Sequence, residues 1–104
     1  MNLITIEIGR LLLDFQGYTA FDNGNEVHLS VREFDILKFM FDHAGETISR
    51  NDLLEKIWGY ESNPTTRTVD NFILRLRQKV EPNFNQPRHI ITVHGLGYKL
   101  ISGV

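Results

Sequence analysis

Arg67, Asn71, Arg75 and Gln78 follow one another at intervals of three or four residues. That is the interval at which a helix returns to one face. Arginine can donate two parallel hydrogen bonds to guanine O6 and N7, and Asn or Gln can do the equivalent for adenine N6 and N7. Leu74 lies in the same row and offers an apolar surface of the kind that meets a thymine methyl. Lys79 and Arg77 stand on the two flanks, where a cation can neutralise a phosphate. The chemistry available is therefore the reading of base edges in the major groove of a double helix. A polar outer face is also what an ordinary solvated helix carries, and single exposed leucines are common, so this face alone leaves both readings open.

The elements that must hold those side chains can be read around them. Val69, Phe72, Ile73, Leu76 and Val80 fall on the opposite side and form an apolar stripe, which predicts a helix from about Arg67 to Val80 capped by Thr65 or Thr66. Asp70 sits at the edge of the outer face near Arg77, whose flank position suits a structural ion pair. Gly59 to Thr65 reads as a loop, with Pro64 disfavouring helix at Asn63. After a second loop from Glu81 to Pro87, the stretch Ile90 to Ile101 reads as strand, glycine turn and strand. Such a hairpin is a narrow wing able to reach a minor groove, where cationic side chains are favoured. His94 and Lys99 are the side chains it offers there.

The first half supplies the platform. Thr5–Ile8, Leu11–Phe15, Tyr18–Phe21 and Glu26–Leu29 read as four short antiparallel strands, with Asn23-Gly24 as a hairpin turn. Ser30 and Glu33 form a capping box that opens a helix bearing Phe34, Ile36, Leu37, Phe39, Met40 and Phe41, and Ala44-Gly45 ends it. Thr47-Ile48 is expected to pair briefly as a strand. Ser49 then caps a second helix, with Asp52 as the weaker box partner, Leu53, Leu54, Ile57 and Trp58 inside, and Gly59 at its end. The fold class is α+β: a winged helix-turn-helix with an N-terminal four-stranded sheet, three helices and a terminal hairpin, occupying residues 1–104 as one unit.

Bulk properties narrow the function. The net charge is −2, yet residues 1–66 carry 5 Lys/Arg against 11 Asp/Glu, while residues 67–104 carry 6 against 2. An acidic body with a basic final third can still present one positive face. There is no cysteine, so disulfides and thiolate metal sites are excluded. No apolar run has the roughly 18 residues of a membrane span, and the start lacks the pattern of a secretory signal. The four histidines have no metal-ligand spacing, and Gly95-Leu96-Gly97 is not a nucleotide-binding loop. Ser30 and Ser49 are caps rather than nucleophiles. Neither an enzyme nor a cofactor is expected. The rival reading is a winged-helix module that binds protein, because fold does not fix function.

The motifs together resemble the OmpR/PhoB-type winged-helix effector domain of bacterial two-component response regulators. The matching pieces are Leu29–Leu37, Ile48–Leu54 with Ile57–Tyr60, Arg67–Val80 and Ile91–Leu100, in that family's order and spacing. The resemblance implies a transcription regulator of the bacterial cytoplasm whose recognition helix is 67–80 and whose wing is about 90–101. Loop 59–66 would face RNA polymerase. By position, Arg75 and Asn71 would face bases. Arg50, Trp58, Arg67 and Thr68 would lie near phosphates, with Thr92 and Tyr98 near the backbone at the wing. A receiver domain, the part a histidine kinase acts on, is absent from this chain. Two effector domains would bind tandem half-sites of double-stranded DNA, and the isolated domain would be a monomer. Two positions depart from the family pattern: His94 and Leu74 stand where basic residues are frequent.

Overall fold

The computed structural model describes residues 5–59 and 64–101. Residues 60–63 of the proposed loop 59–66 thus lie outside the described residues. The chain opens with β1 (Ile6–Ile8), β2 (Leu11–Asp14), β3 (Thr19–Asp22) and β4 (Asn25–Glu26), which form an antiparallel sheet in sequential order. Asn23 and Gly24 both have positive φ, 50° and 84°, and Asp22 pairs with Asn25 across them. This is the mirror-image two-residue turn whose twist matches the strands.

One strand is shorter than the alternation in Glu26–Leu29 suggests. Val27 still donates to the Ala20 carbonyl at 2.8 Å, but the ladder ends there. Leu29 turns into the core and Ser30 begins the next helix, so the chain leaves the sheet to enter the cap.

Helix α1 (Val31–Asp42) starts with the expected box: the Glu33 amide donates to Ser30 Oγ at 3.2 Å, and the Ser30 amide to Glu33 Oε1 at 2.8 Å. It buries Phe34, Ile36, Leu37 and Met40. The strand β5 (Ile48–Ser49) lies one residue beyond the expected pair and leads into α2 (Arg50–Trp58), where Ser49 Oγ accepts the Asp52 amide at 3.0 Å. Helix α3 (Thr66–Val80) starts one residue earlier than the periodicity suggests. The Thr65 amide donates to Thr68 Oγ1 at 3.3 Å, which satisfies one of the orphan groups at its start.

The wing is β6 (Ile90–Val93) and β7 (Gly97–Leu100), paired antiparallel. It is not a free hairpin: β5 pairs on the other side of β7, giving a three-stranded sheet in the order β5-β7-β6. Gly97 makes this pairing possible, because a Cβ there would stand 2.0 Å from the Ile48 carbonyl oxygen. One core runs through the whole unit, from Leu11 and Leu13 through Ile36, Leu37 and Leu53 to Ile73, Leu76, Ile90 and Leu100. Burial of this kind stabilises by about 25 cal/mol per Å² of apolar surface. Here it fixes α3 against both sheets.

Candidate nucleic-acid interface

Helix α3 divides as its periodicity requires. Val69, Ile73, Leu76 and Val80 are buried, while Arg67, Asn71, Leu74, Arg75 and Gln78 are exposed. The candidate base contacts Asn71, Leu74, Arg75 and Gln78 therefore share one open face. Arg75 lies over the Phe72 ring at 5.3 Å, and that ring meets Trp58 edge-on at 5.2 Å. Trp58 also packs under Arg32, whose guanidinium donates to the Ile57 carbonyl. The aromatic pair thus props α3 on the end of α2.

The edge of α3 nearest the wing is held by two arginines and a tyrosine. Arg50 Nε donates to Asp70 Oδ1 at 3.0 Å, and its Nη2 bonds Oδ2. Tyr98 donates its hydroxyl to Asp70 Oδ1 at 2.6 Å. Partial burial pushes the Asp70 carboxyl up, but the Tyr98 and Arg50 donors outweigh it and hold the group below the usual carboxylate range. Burial, with the Asp70 carboxylate as acceptor, pushes the Tyr98 hydroxyl up to about 12. Asp70 is the one acidic residue within α3, and its charge is thereby neutralised by α2.

Arg77 finds a different partner from the carboxylate its flank position suggests. Its Nε donates to the Ile90 carbonyl at 2.9 Å and its Nη2 to Thr92 Oγ1 at 2.8 Å, with the guanidinium 5.6 Å from the Tyr98 ring centre. It is a structural residue, as its flank position implies, but it ties α3 to β6 by hydrogen bonds and not by an ion pair. Thr92 and Tyr98, both expected near DNA backbone, are thus also the points at which the wing is anchored to α3.

Lys79 is placed away from the open face. Its Nζ lies 3.0 Å from Glu33 Oε1 and 3.1 Å from the His28 carbonyl oxygen. The Glu33 side chain is only 5% exposed, so this ammonium compensates a buried charge at the α1 cap. This ion pair competes with the flank reading of Lys79 as a phosphate contact, and a partner 46 residues away was invisible to the helical wheel.

Two positioning residues escaped the sequence reading. Glu81, 2% exposed, collects the amides of Arg88, His89 and Ile90 at 2.7–3.1 Å and so joins the end of α3 to the first wing strand. Arg10 donates to the Gln78 and Lys79 carbonyls at 2.8 and 3.0 Å, capping α3 with a cation from the β1–β2 turn. Glu81 directly follows the helix and precedes a Pro, a mild sign of a helix end. No local signal marks Arg10.

A cleft of about 410 Å³ opens between the start of α2, α3 and the wing, lined by residues including Arg50, Asp70, Thr92, His94, Leu96 and Tyr98. His94 is exposed at the wing tip and Leu96 beside it is 64% exposed. Lys99, on β7 opposite Ile91, is partly exposed. Arg67 and the partly exposed Thr68 stand at the first turn of α3. The candidate interface thus comprises the open face of α3, the wing and a cleft between them, with helix and wing fastened to each other.

The family model of the C-terminal part of transcriptional regulatory proteins matches residues 24–100. The chain is 36% identical over 97 residues to the sensory transduction protein RegX3 of Mycobacterium leprae, covering 93% of this chain and 49% of that protein. Among solved structures, the response regulator DrrB of Thermotoga maritima, an OmpR/PhoB homologue, superposes with a TM-score of 0.83 at 38% identity, over 94% of this chain and 44% of DrrB. The DNA-binding domain of Klebsiella pneumoniae RstA, solved in complex with the RstA box, gives 0.77 at 35% identity over 93% of this chain and 96% of that domain. The chain belongs to the family of C-terminal transcriptional regulatory domains and has the OmpR/PhoB winged-helix fold. It spans about half or less of the length of full-length relatives such as RegX3 and DrrB.

Proposed function

We propose that this domain binds double-stranded DNA in a sequence-specific manner and regulates transcription as the output half of a two-component response regulator in the bacterial cytoplasm. The observation that carries this reading is the open face of α3. Asn71, Arg75 and Gln78 project together, Arg67 stands at the helix start, and the neighbouring carboxylate of Asp70 is compensated by Arg50 and Tyr98. Such a face suits the major groove, with Arg and amide side chains on base edges. The wing, carrying His94 and Lys99, would lie at the adjacent minor groove. Arg50, Trp58, Arg67, Thr68, Thr92 and Tyr98 surround the cleft or border α3 and would meet the sugar-phosphate backbone. Thr92 and Tyr98 would do so while keeping the wing in place, and Arg50 while holding α3 to α2.

The RstA domain supports the reading, since a chain of the same fold and 35% identity was solved with its DNA box. Tandem half-sites would raise affinity through effective concentration when two such domains are tethered, and loop 59–66 would be available to RNA polymerase. A kinase would act only through a receiver domain on the same polypeptide. The test is selection from a random duplex pool with the domain alone and with two tethered copies. Enrichment of one half-site, or a direct repeat of it with the tethered form, is the expected result. No enrichment with either form would reject specific DNA recognition and favour a protein partner.

A further inference from the structure

Leu74 lies outside the hydrophobic core of the domain. It is 51% exposed, whereas the four apolar residues that anchor α3 are buried. Around the helix it stands between the exposed row of Asn71, Arg75 and Gln78 and the edge where Asp70 and Arg77 are fastened to α2 and the wing. The wing-side neighbours are therefore committed, the outer neighbours are free to donate hydrogen bonds, and Leu74 is the one apolar group of α3 on the open face.

A leucine placed against base edges can neither donate nor accept. Opposite a purine or a cytosine it would strip water from N7, O6 or an amino group without replacing the lost hydrogen bond, which is costly. Opposite thymine it meets the 5-methyl group, the one apolar feature of the major-groove edge. We infer that Leu74 is a specificity-determining residue that reads the 5-methyl group of a thymine in each half-site, next to the base pair met by Arg75 or Asn71. This rests on the DNA-binding reading above and adds to it a chemical identity for one position of the site.

The test uses the duplex recovered from the random pool. Each thymine is replaced singly by deoxyuridine, which keeps the pairing and removes only the methyl group. The wild-type domain should lose affinity about fourfold at one or two positions per half-site, the factor expected for one buried methyl group. Leu74→Ala should fold with an unchanged melting temperature, because the side chain is exposed, and should lose the methyl sensitivity at those positions. Wild-type binding that no deoxyuridine weakens would overturn the inference while leaving DNA recognition intact. So would methyl sensitivity that persists unchanged in Leu74→Ala. Failure to recover any duplex would overturn the DNA-binding reading and this inference together.

Discussion

The Tyr98 hydroxyl donates to Asp70 Oδ1 at 2.6 Å, a bond that joins the middle of the wing sheet to the helix carrying the candidate base contacts. Arg50 closes the same carboxylate from α2, so three elements meet on one charged group. Charge-assisted hydrogen bonds of this kind contribute about 1.5–3 kcal/mol. Tyr98→Phe should lower stability by about 2 kcal/mol, read by urea unfolding. Asp70→Ala should be largely non-additive with it, because both remove the same bond. Full additivity of the two changes would contradict the shared bond.

The same bond sets a pH dependence at the alkaline end. The tyrosine hydroxyl titrates near 10.0 when unfolded and is pushed up to about 12 in the fold, first by burial and then by the Asp70 acceptor. The folded state therefore holds its proton longer than the unfolded state. The stabilisation is fully present below about pH 10 and is lost as the pH rises through about 12. Asp70 acts at the other end: its folded value is lowered, so its contribution is present above 3.8 and is lost as the pH falls through the folded value. Unfolding free energies measured from pH 9 to 12 should fall in the wild type and fall less in Tyr98→Phe. Identical slopes would refute the assignment.

Lys79 separates folding from binding. Its ammonium neutralises the nearly buried Glu33 carboxylate. Lys79→Met should therefore destabilise the domain by about 3 kcal/mol, the cost of leaving a buried charge without its partner. It should not reduce the salt dependence of DNA binding. A salt slope lowered by about one unit would instead make Lys79 a phosphate contact.

These contrasts show what the linear sequence can carry. Periodicity is local, so the sides of α3, the Ser30–Glu33 box and the Asn23-Gly24 turn are all legible in it. The wheel correctly opened Asn71, Leu74, Arg75 and Gln78 to the outside. It had no means of pairing Lys79 with Glu33, Asp70 with Tyr98, or Arg10 with the end of α3, because each bond spans 28 residues or more and leaves no spacing rule behind. The Glu26–Leu29 alternation misled for a related reason. Leu29 is apolar because it enters the core ahead of the Ser30 cap, not because it alternates along a strand.

Glu81 tests whether the wing and α3 are positioned together. Its carboxylate accepts three backbone amides where the loop after α3 returns to β6. Glu81→Gln would replace one acceptor oxygen by a donor facing those amides. A loss of about 3 kcal/mol is expected from the bonds to the charged group, together with faster amide exchange at His89 and Ile90. Unchanged exchange at those two amides would show that the carboxylate does not hold the wing strand.

Arg75 and Arg67 divide the proposed interface into reading and anchoring. Arg75→Ala should relax preference at one base pair of each half-site by about 1–3 kcal/mol. Arg67→Ala should weaken binding to all duplexes alike. Competition with single-base variants of the selected site distinguishes the two. Unchanged preference in Arg75→Ala would remove it from the reading face.

The most direct test of the central claim is the affinity of the domain for its selected duplex, and for a scrambled one, across a series of salt concentrations. Recognition by α3 and the wing predicts tighter binding to the selected duplex at every salt concentration. It also predicts a fall in log affinity with log salt steeper than about −2, corresponding to several neutralised phosphates. Equal affinity for the two duplexes, or affinity indifferent to salt, would contradict it.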